Sequence, residues 1–304
     1  MKNSFGVPVK KTAILAIISA ITLFIIFKVS VNAGTFLSVL SDIEMKFFWL
    51  AFATIPPTLI LNGVRWHWVL RSAGFSTSLQ KIIFIVNSGI SLSILPGRLG
   101  DFARSYPLRG EISPAKAIGT IILEKIVDIS VLLCYSGIGF FILGKPVPGV
   151  LIMALSVLII PLLYPLHRLG KRFGSGNIIL AKINEAFEII ILIKQRKRKF
   201  AIAYVSSFAN WSLSLLQIYF LYQAVHSPIS GAYILTFLPL SIFIGLIPVT
   251  LAGVGTRDAA LIYFFSSLVQ PSRSLAVGIL YGVQSYWLPA LLGIPFLRYF
   301  FKDR

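Results

Sequence analysis

Three small groups of ionisable residues lie against long apolar stretches: Arg98, Asp101 and Arg104; Glu124, Lys125 and Asp128; and Arg257 beside Asp258. Arginine carries a permanently charged planar fork of donors that matches phosphate and carboxylate oxygens, so Arg98, Arg104 and Arg257 are candidates to hold a phosphate-bearing group. The acids can orient those arginines or receive a cationic headgroup; alternatively, Asp101 or Glu124 can be read as the base of a membrane-embedded transferase. Glu124 and Asp128 are one helical turn apart on one face. An ionisable group at mid-membrane costs roughly 3 kcal/mol on insertion scales, so such groups pair or face a cavity, and the expected partner is Arg98 or Arg104. The competing reading is that Lys125 snorkels and all three lie at the headgroups.

The first and third groups adjoin breaks in the apolar pattern. Pro96, Gly97 and Gly100 interrupt one arm, and Pro248, Gly253 and Gly255 interrupt another. Glycine breaks let the backbone leave the helix, and a helix starting near Asp101 or Asp258 turns its positive end toward whatever lies in the break. Broken backbone at membrane depth must line a cavity or be covered by protein. The alternative is that these glycines turn loops at the interface, with their charges in water.

The elements that must position these groups follow from composition. Of 304 residues, 57% are hydrophobic and only 12% charged, where a soluble domain has about a quarter charged. Continuous apolar runs near the ~20 residues needed to span a ~30 Å core predict an all-α polytopic bundle and argue against an alternating outer-membrane barrel. The 28 Lys and Arg against 10 acids fall in short loops between apolar runs, a pattern of membrane orientation and anionic-lipid contact; no nucleic-acid partner is expected. Cys134 is the single cysteine, which excludes an intrachain disulfide and a multi-cysteine metal site.

The expected threading has six full spans and two re-entrant hairpins, with both termini cytoplasmic. Residues 12–31 resemble a secretory signal but are read as an uncleaved first span. Residues 47–69 form the second span, with Arg65, Trp66, Trp68 and Arg71 at its cytoplasmic end. The apolar run 82–95 is too short to cross and predicts a hairpin over 82–113 entering from the cytoplasm. Ser113 and Pro114 read as the N-cap and first position of a long helix to about residue 143. A tight outer turn over 145–149 then leads into a span over 150–165. Residues 166–199 carry nine Lys or Arg against Glu185 and Glu188, and 179–190 read as an interfacial amphipathic helix between two halves of one transmembrane domain, 1–165 and 200–304. Spans over 200–223 and 274–298 flank a second hairpin over 233–271, entering from outside. On this threading only Lys28, Lys46, Lys145, Arg257 and Arg273 fall in or toward the outer half, as the positive-inside rule requires. An eight-span version is the main competitor. Paired interrupted segments in two halves are the pattern of an inverted-repeat transporter site.

Asn210, Ser214 and Gln217 form one polar stripe on the 200–223 span, to line a path or to hold helices together. The run 194–199 reads as a lipid anchor. His67, His167 and His226 are scattered, and no metal triad, Walker loop or nucleophile elbow is present; no cofactor is expected.

Four motifs in order and spacing carry a family resemblance: Arg65-Trp66; Pro96-Gly97-Arg98-Leu99-Gly100-Asp101 with Arg104; Glu124-Lys125 with Asp128; and Pro248-Val249-Thr250 followed by Gly253-Val254-Gly255-Thr256-Arg257-Asp258. Over nearly its whole length the chain resembles the transmembrane domain of lysylphosphatidylglycerol synthases, also called flippase-like or uncharacterised family 0104 membrane proteins. It departs in having Asp101 and Asp258 where the family often has Glu, and Lys125 where it often has Arg, which alters reach and bidentate pairing. The resemblance implies a lipid flippase that moves an aminoacylated phosphatidylglycerol to the outer leaflet of the cell membrane. The cytoplasmic synthase domain has no counterpart in this sequence, so the expectation is the translocator module, supplied by a separate synthase. Relatives fused to or encoded near glycosyltransferases leave a glycolipid or polyprenyl-linked substrate equally open, and an accessory subunit of a lipid-modifying enzyme is a further alternative.

Overall fold

The computed structural model describes residues 9–29, 31–92, 99–173, 188–189, 192–193, 195–246, 250 and 253–298. Among them the secondary structure is helical throughout. In chain order the helices are α1 (Val9–Val29), α2 (Ala33–Ser41), α3 (Met45–Ala53), α4 (Ile55–Ser72), α5 (Leu79–Leu92), α6 (Leu99–Ala103), α7 (Pro114–Ile142), α8 (Pro146–Phe173), α9 (Lys197–Ala224), α10 (Gly231–Leu246), α11 (Thr256–Phe265), α12 (Pro271–Gly282) and α13 (Leu288–Gly293).

Among the described residues, two stretches, Met45–Ser72 and Pro271–Leu297, are long and apolar enough to cross a membrane, or three if the bent pair Ile17–Val29 and Ala33–Ser41 is one span. α7 and α9, with 29 and 28 residues, reach about 42 Å at 1.5 Å per residue, but both carry the polar side chains that build the site below. The outer surface suits lipid. Val29, Val147 and Leu151 are 78%, 70% and 65% exposed, an apolar face that water would not tolerate over such a length.

Several boundaries differ from expectation. The segment after α1 is not an open loop: the Asn32 side chain accepts from the Gly34 and Thr35 amides at 2.9 and 3.3 Å, starting α2, which bends 100° away from α1. α7 begins as expected, with Pro114 in its first turn and Ser113 Oγ accepting from the Lys116 amide. It ends at Ile142, and Gly144, just past the cap, has a φ of +71° that suits glycine, so the outer turn is shorter than 145–149 and α8 starts at Pro146. α8 then runs through Pro161 and Pro165 to Phe173, carrying the helix into what reads as the basic connector. The amphipathic helix over 179–190 lies outside the described residues except for Glu188 and Ile189, which are helical.

The two halves of the sequence pack into each other. α9 lies against α3 and α4, and α10 lies against α7 and α11. Where α7 meets α10, a Cβ built on Gly139 would stand 2.3 Å from Thr236 Oγ1 and 2.6 Å from its amide nitrogen. Gly139→Val is therefore expected to cost about 1–3 kcal/mol by forcing the helices apart, measured as a lower thermal midpoint of the detergent-solubilised protein against wild type.

Candidate functional site

Asp128 packs against the central part of α9. Its Oδ1 accepts from Ser207 Oγ at 2.6 Å and Trp211 Nε1 at 3.1 Å, and both donors lie near the middle of the 28-residue α9. The same oxygen lies 2.9 Å from Arg65 Nη1. One turn earlier on α7, Glu124 gives each carboxylate oxygen to a different arginine. Oε1 receives Arg65 Nη2 at 2.7 Å and Nε at 3.2 Å, while Oε2 receives Arg104 Nη2 at 2.6 Å. All four groups are buried, so their desolvation must be offset within the cluster.

Supporting contacts hold the arginines in place. Arg65 also donates to Asn62 Oδ1 at 3.1 Å. Arg104 lies over the Trp66 ring, 4.6 Å from its centroid, and that indole donates to Thr120 Oγ1 at 3.1 Å. Nearer the surface, Lys125 Nζ pairs with Asp101 Oδ2 at 3.1 Å. Arg104 Nε is buried with no partner among the described residues.

The charged side chains of this cluster line one cavity of about 380 Å³, within the ~300–1,000 Å³ of small-molecule sites. Its charged lining balances: Arg65, Arg104 and Lys125 against Asp101, Glu124 and Asp128. The rest of the polar lining is uncharged: Asn210, Ser214 and Gln217 of α9, with Gln284 and Tyr286. Gln217 also ties helices together, donating to Gln284 Oε1 at 3.1 Å and accepting from Ser285 Oγ at 2.7 Å, so the stripe both lines the cavity and bonds helices to one another. Residues 283–287 form a π turn between α12 and α13, which brings the consecutive residues 284–287 to the cavity. Such turns recur at functional sites because they re-aim side chains within a helix.

The candidates from sequence divide into three sets. Asp101, Arg104, Glu124, Lys125 and Asp128 come together at the cavity. Pro96, Gly97, Arg98 and Pro248 lie outside the described residues, while Gly100 is buried at the start of α6, its carbonyl oxygen 3.0 Å from where a Cβ on Gly89 would stand. Arg257, Asp258, Gly253 and Gly255 do not line the cavity but stand behind its wall. Arg257 pairs with Asp258 Oδ1 through Nη2 at 2.7 Å and Nε at 3.0 Å and donates to the Gly278 carbonyl at 2.9 Å. Its guanidinium lies 5.1 and 5.4 Å from the ring centroids of Tyr281 and Tyr286. Asp258 Oδ2 accepts from the Gly255 amide at 3.0 Å, so the positive end of α11 is met by its own acid instead of facing a ligand. Gly253 and Gly255 have φ of +77° and +96°, left-handed values that glycine adopts without strain.

The Arg65 and Trp66 side chains correct the interfacial reading. They are 4% and 0% exposed and turn into the bundle, because Glu124 and Asp128 on α7 supply the countercharge that solvent would otherwise provide. Tyr281, Gln284 and Tyr286 were also absent from the candidates; polar and phenolic groups inside an apolar span were the available signal.

The family described as lysylphosphatidylglycerol synthase TM region matches residues 13–293. Among curated relatives, a UPF0104 membrane protein of Methanocaldococcus jannaschii is 22% identical over 317 aligned residues covering 94% of each chain. One of Pyrococcus horikoshii is 23% identical over 92% of this chain and 94% of its own. One of Methanothermobacter thermautotrophicus is 23% identical, covering 80% and 82%. A match across nearly every helix that builds the cavity means that this chain belongs to the lysylphosphatidylglycerol synthase TM region family of membrane proteins.

Proposed function

We propose that the protein is a non-enzymatic lipid translocator, moving a phosphate-bearing lipid between the leaflets of the cell membrane, with both termini cytoplasmic. The observation that carries this reading is the cavity itself: headgroup-sized, built by helices from both halves of the chain, and charged near the middle of α9. Ionisable groups at such depth mark substrate pathways by default, because only a polar cargo or a partner offsets the cost of keeping them there. The unpartnered Arg104 Nε offers an N–H to a phosphate oxygen, and the Arg65 and Arg104 guanidinium groups supply the charge. Acyl chains stay in lipid, beside the apolar outer faces.

The short helices α5 and α10, with 14 and 16 residues, are read as arms of re-entrant hairpins over 82–113 and 233–271, since neither reaches ~30 Å. Paired short arms in two halves are the arrangement of alternating access around a fixed site. The headgroup is attached elsewhere, by a separate synthase or glycosyltransferase. No nucleotide site is read in the sequence, so movement follows a gradient or runs downhill.

The test is transport in proteoliposomes. Tail-labelled phosphatidylglycerol should exchange between leaflets with wild-type protein, and Arg104→Ala should slow exchange at least tenfold at equal membrane insertion. Equal rates would remove the site assignment.

A further inference from the structure

The uncharged wall of the cavity has chemistry of its own. Asn210 and Gln284 are 4% and 1% exposed, both line the cavity, and Asn210 Oδ1 and Gln284 Nε2 have no hydrogen-bond partner among the described residues. One is an acceptor and the other a donor, and leaving either unmet costs about 1–3 kcal/mol. A hydroxyl both donates and accepts, so a ligand rich in hydroxyls satisfies the pair. Trp211, Tyr281 and Tyr286 line the same cavity, and aromatic faces suit the C–H faces of a sugar or cyclitol ring.

The charged wall argues the same way by what it withholds. A headgroup bearing an ammonium needs a carboxylate, yet each of the three lining the cavity already holds a cation: Glu124 at 2.6 and 2.7 Å, Asp128 at 2.9 Å and Asp101 at 3.1 Å. An amine would have to displace an arginine or lysine, whereas a phosphate meets guanidinium groups with one N–H still open.

Resting on the translocator reading above, we infer that the lipid carried has a neutral polyol or sugar joined through a phosphate, the phosphate at Arg65 and Arg104 and the hydroxyls at Asn210 and Gln284. This is a narrower cargo than phospholipids at large, and it is not an aminoacylated one.

The experiment compares three tail-labelled lipids in proteoliposomes: phosphatidylinositol, phosphatidylethanolamine and phosphatidic acid. Wild type should move phosphatidylinositol at least tenfold faster than phosphatidylethanolamine. Asn210→Leu and Gln284→Leu should each lower the ratio of phosphatidylinositol to phosphatidic acid rates about tenfold, the equivalent of ~1.4 kcal/mol. Asn210→Ser, which restores an acceptor, should recover most of that ratio, which a misfolded protein would not do. Equal rates for phosphatidylinositol and phosphatidylethanolamine, or ratios unmoved by both leucine variants, would overturn the inference.

If wild type moves none of the three, the translocator reading fails, and the polyol inference is judged by thermal protection in detergent. Greater protection by phosphatidylinositol than by phosphatidylethanolamine upholds it; equal protection overturns it. Soluble inositol 1-phosphate protecting as well as the lipid would keep the polyol chemistry and overturn only the lipid as its source.

Discussion

Glu124→Ala is expected to be among the most damaging single substitutions in this chain. The carboxylate holds Arg65 through one oxygen and Arg104 through the other, and its removal leaves two buried guanidinium groups short of countercharge. Breaking a buried pair by deleting one partner typically costs 3–5 kcal/mol, because the remaining charge is desolvated without compensation. Asp128 still faces Arg65, whereas Arg104 loses the carboxylate it is paired with. The expected result is a protein that melts well below wild type in detergent and moves no lipid. Adding Arg104→Leu to Glu124→Ala should restore part of the thermal stability, since the orphaned charge goes with it, yet leave transport absent. A melting temperature within a degree or two of wild type in the single variant would show that the ion pairs are not needed to hold the bundle.

Asp258→Ala is the second large effect, for a different reason. This carboxylate has two tasks: Oδ1 neutralises Arg257, and Oδ2 receives the amide that opens α11. Both partners are buried, at 2% and 0% exposure, and losing a cap adds about 0.5–2 kcal/mol to the cost of an unpaired charge. Arg257 braces α11 on the Gly278 carbonyl of α12 and lies against Tyr281 and Tyr286, so the aromatic wall of the cavity should loosen with it. The expected outcome is a drop of at least 3 kcal/mol in stability, with Arg257→Leu and Asp258→Leu together less harmful than Asp258→Ala alone. Thermal melts of the three proteins check it. A double variant no more stable than Asp258→Ala would mean that the pair is not coupled.

The intramembrane acids were legible because the bilayer leaves few options: Glu124 and Asp128, one turn apart on an apolar helix, had to find cations, and Arg104 was within reach. Arg65 was not legible. At the end of an apolar run beside tryptophan, an arginine that snorkels and one that turns inward have the same local sequence, and only the opposing α7 decides between them. Arg257 was assigned to the ligand because its neighbour Asp258 gives no sign in sequence of also capping the helix, which spends the positive end of α11 inside the protein. The π turn at 283–287 leaves no periodic signature, since one extra residue in a turn hardly shifts an apolar pattern, yet it decides that Gln284 and Tyr286 both reach the cavity. α8 ran past Pro161 and Pro165 because a proline costs a helix one hydrogen bond and some bending, and a long apolar helix on the lipid face can absorb that.

The most direct test of the account is native mass spectrometry of gently solubilised wild-type protein and Arg104→Ala, each released from the same membranes. The account predicts that wild type retains one class of phosphate-bearing lipid at about one molecule per protein, and that the variant loses that class while keeping loosely bound bulk lipid. Identical lipid complements on the two proteins would contradict it.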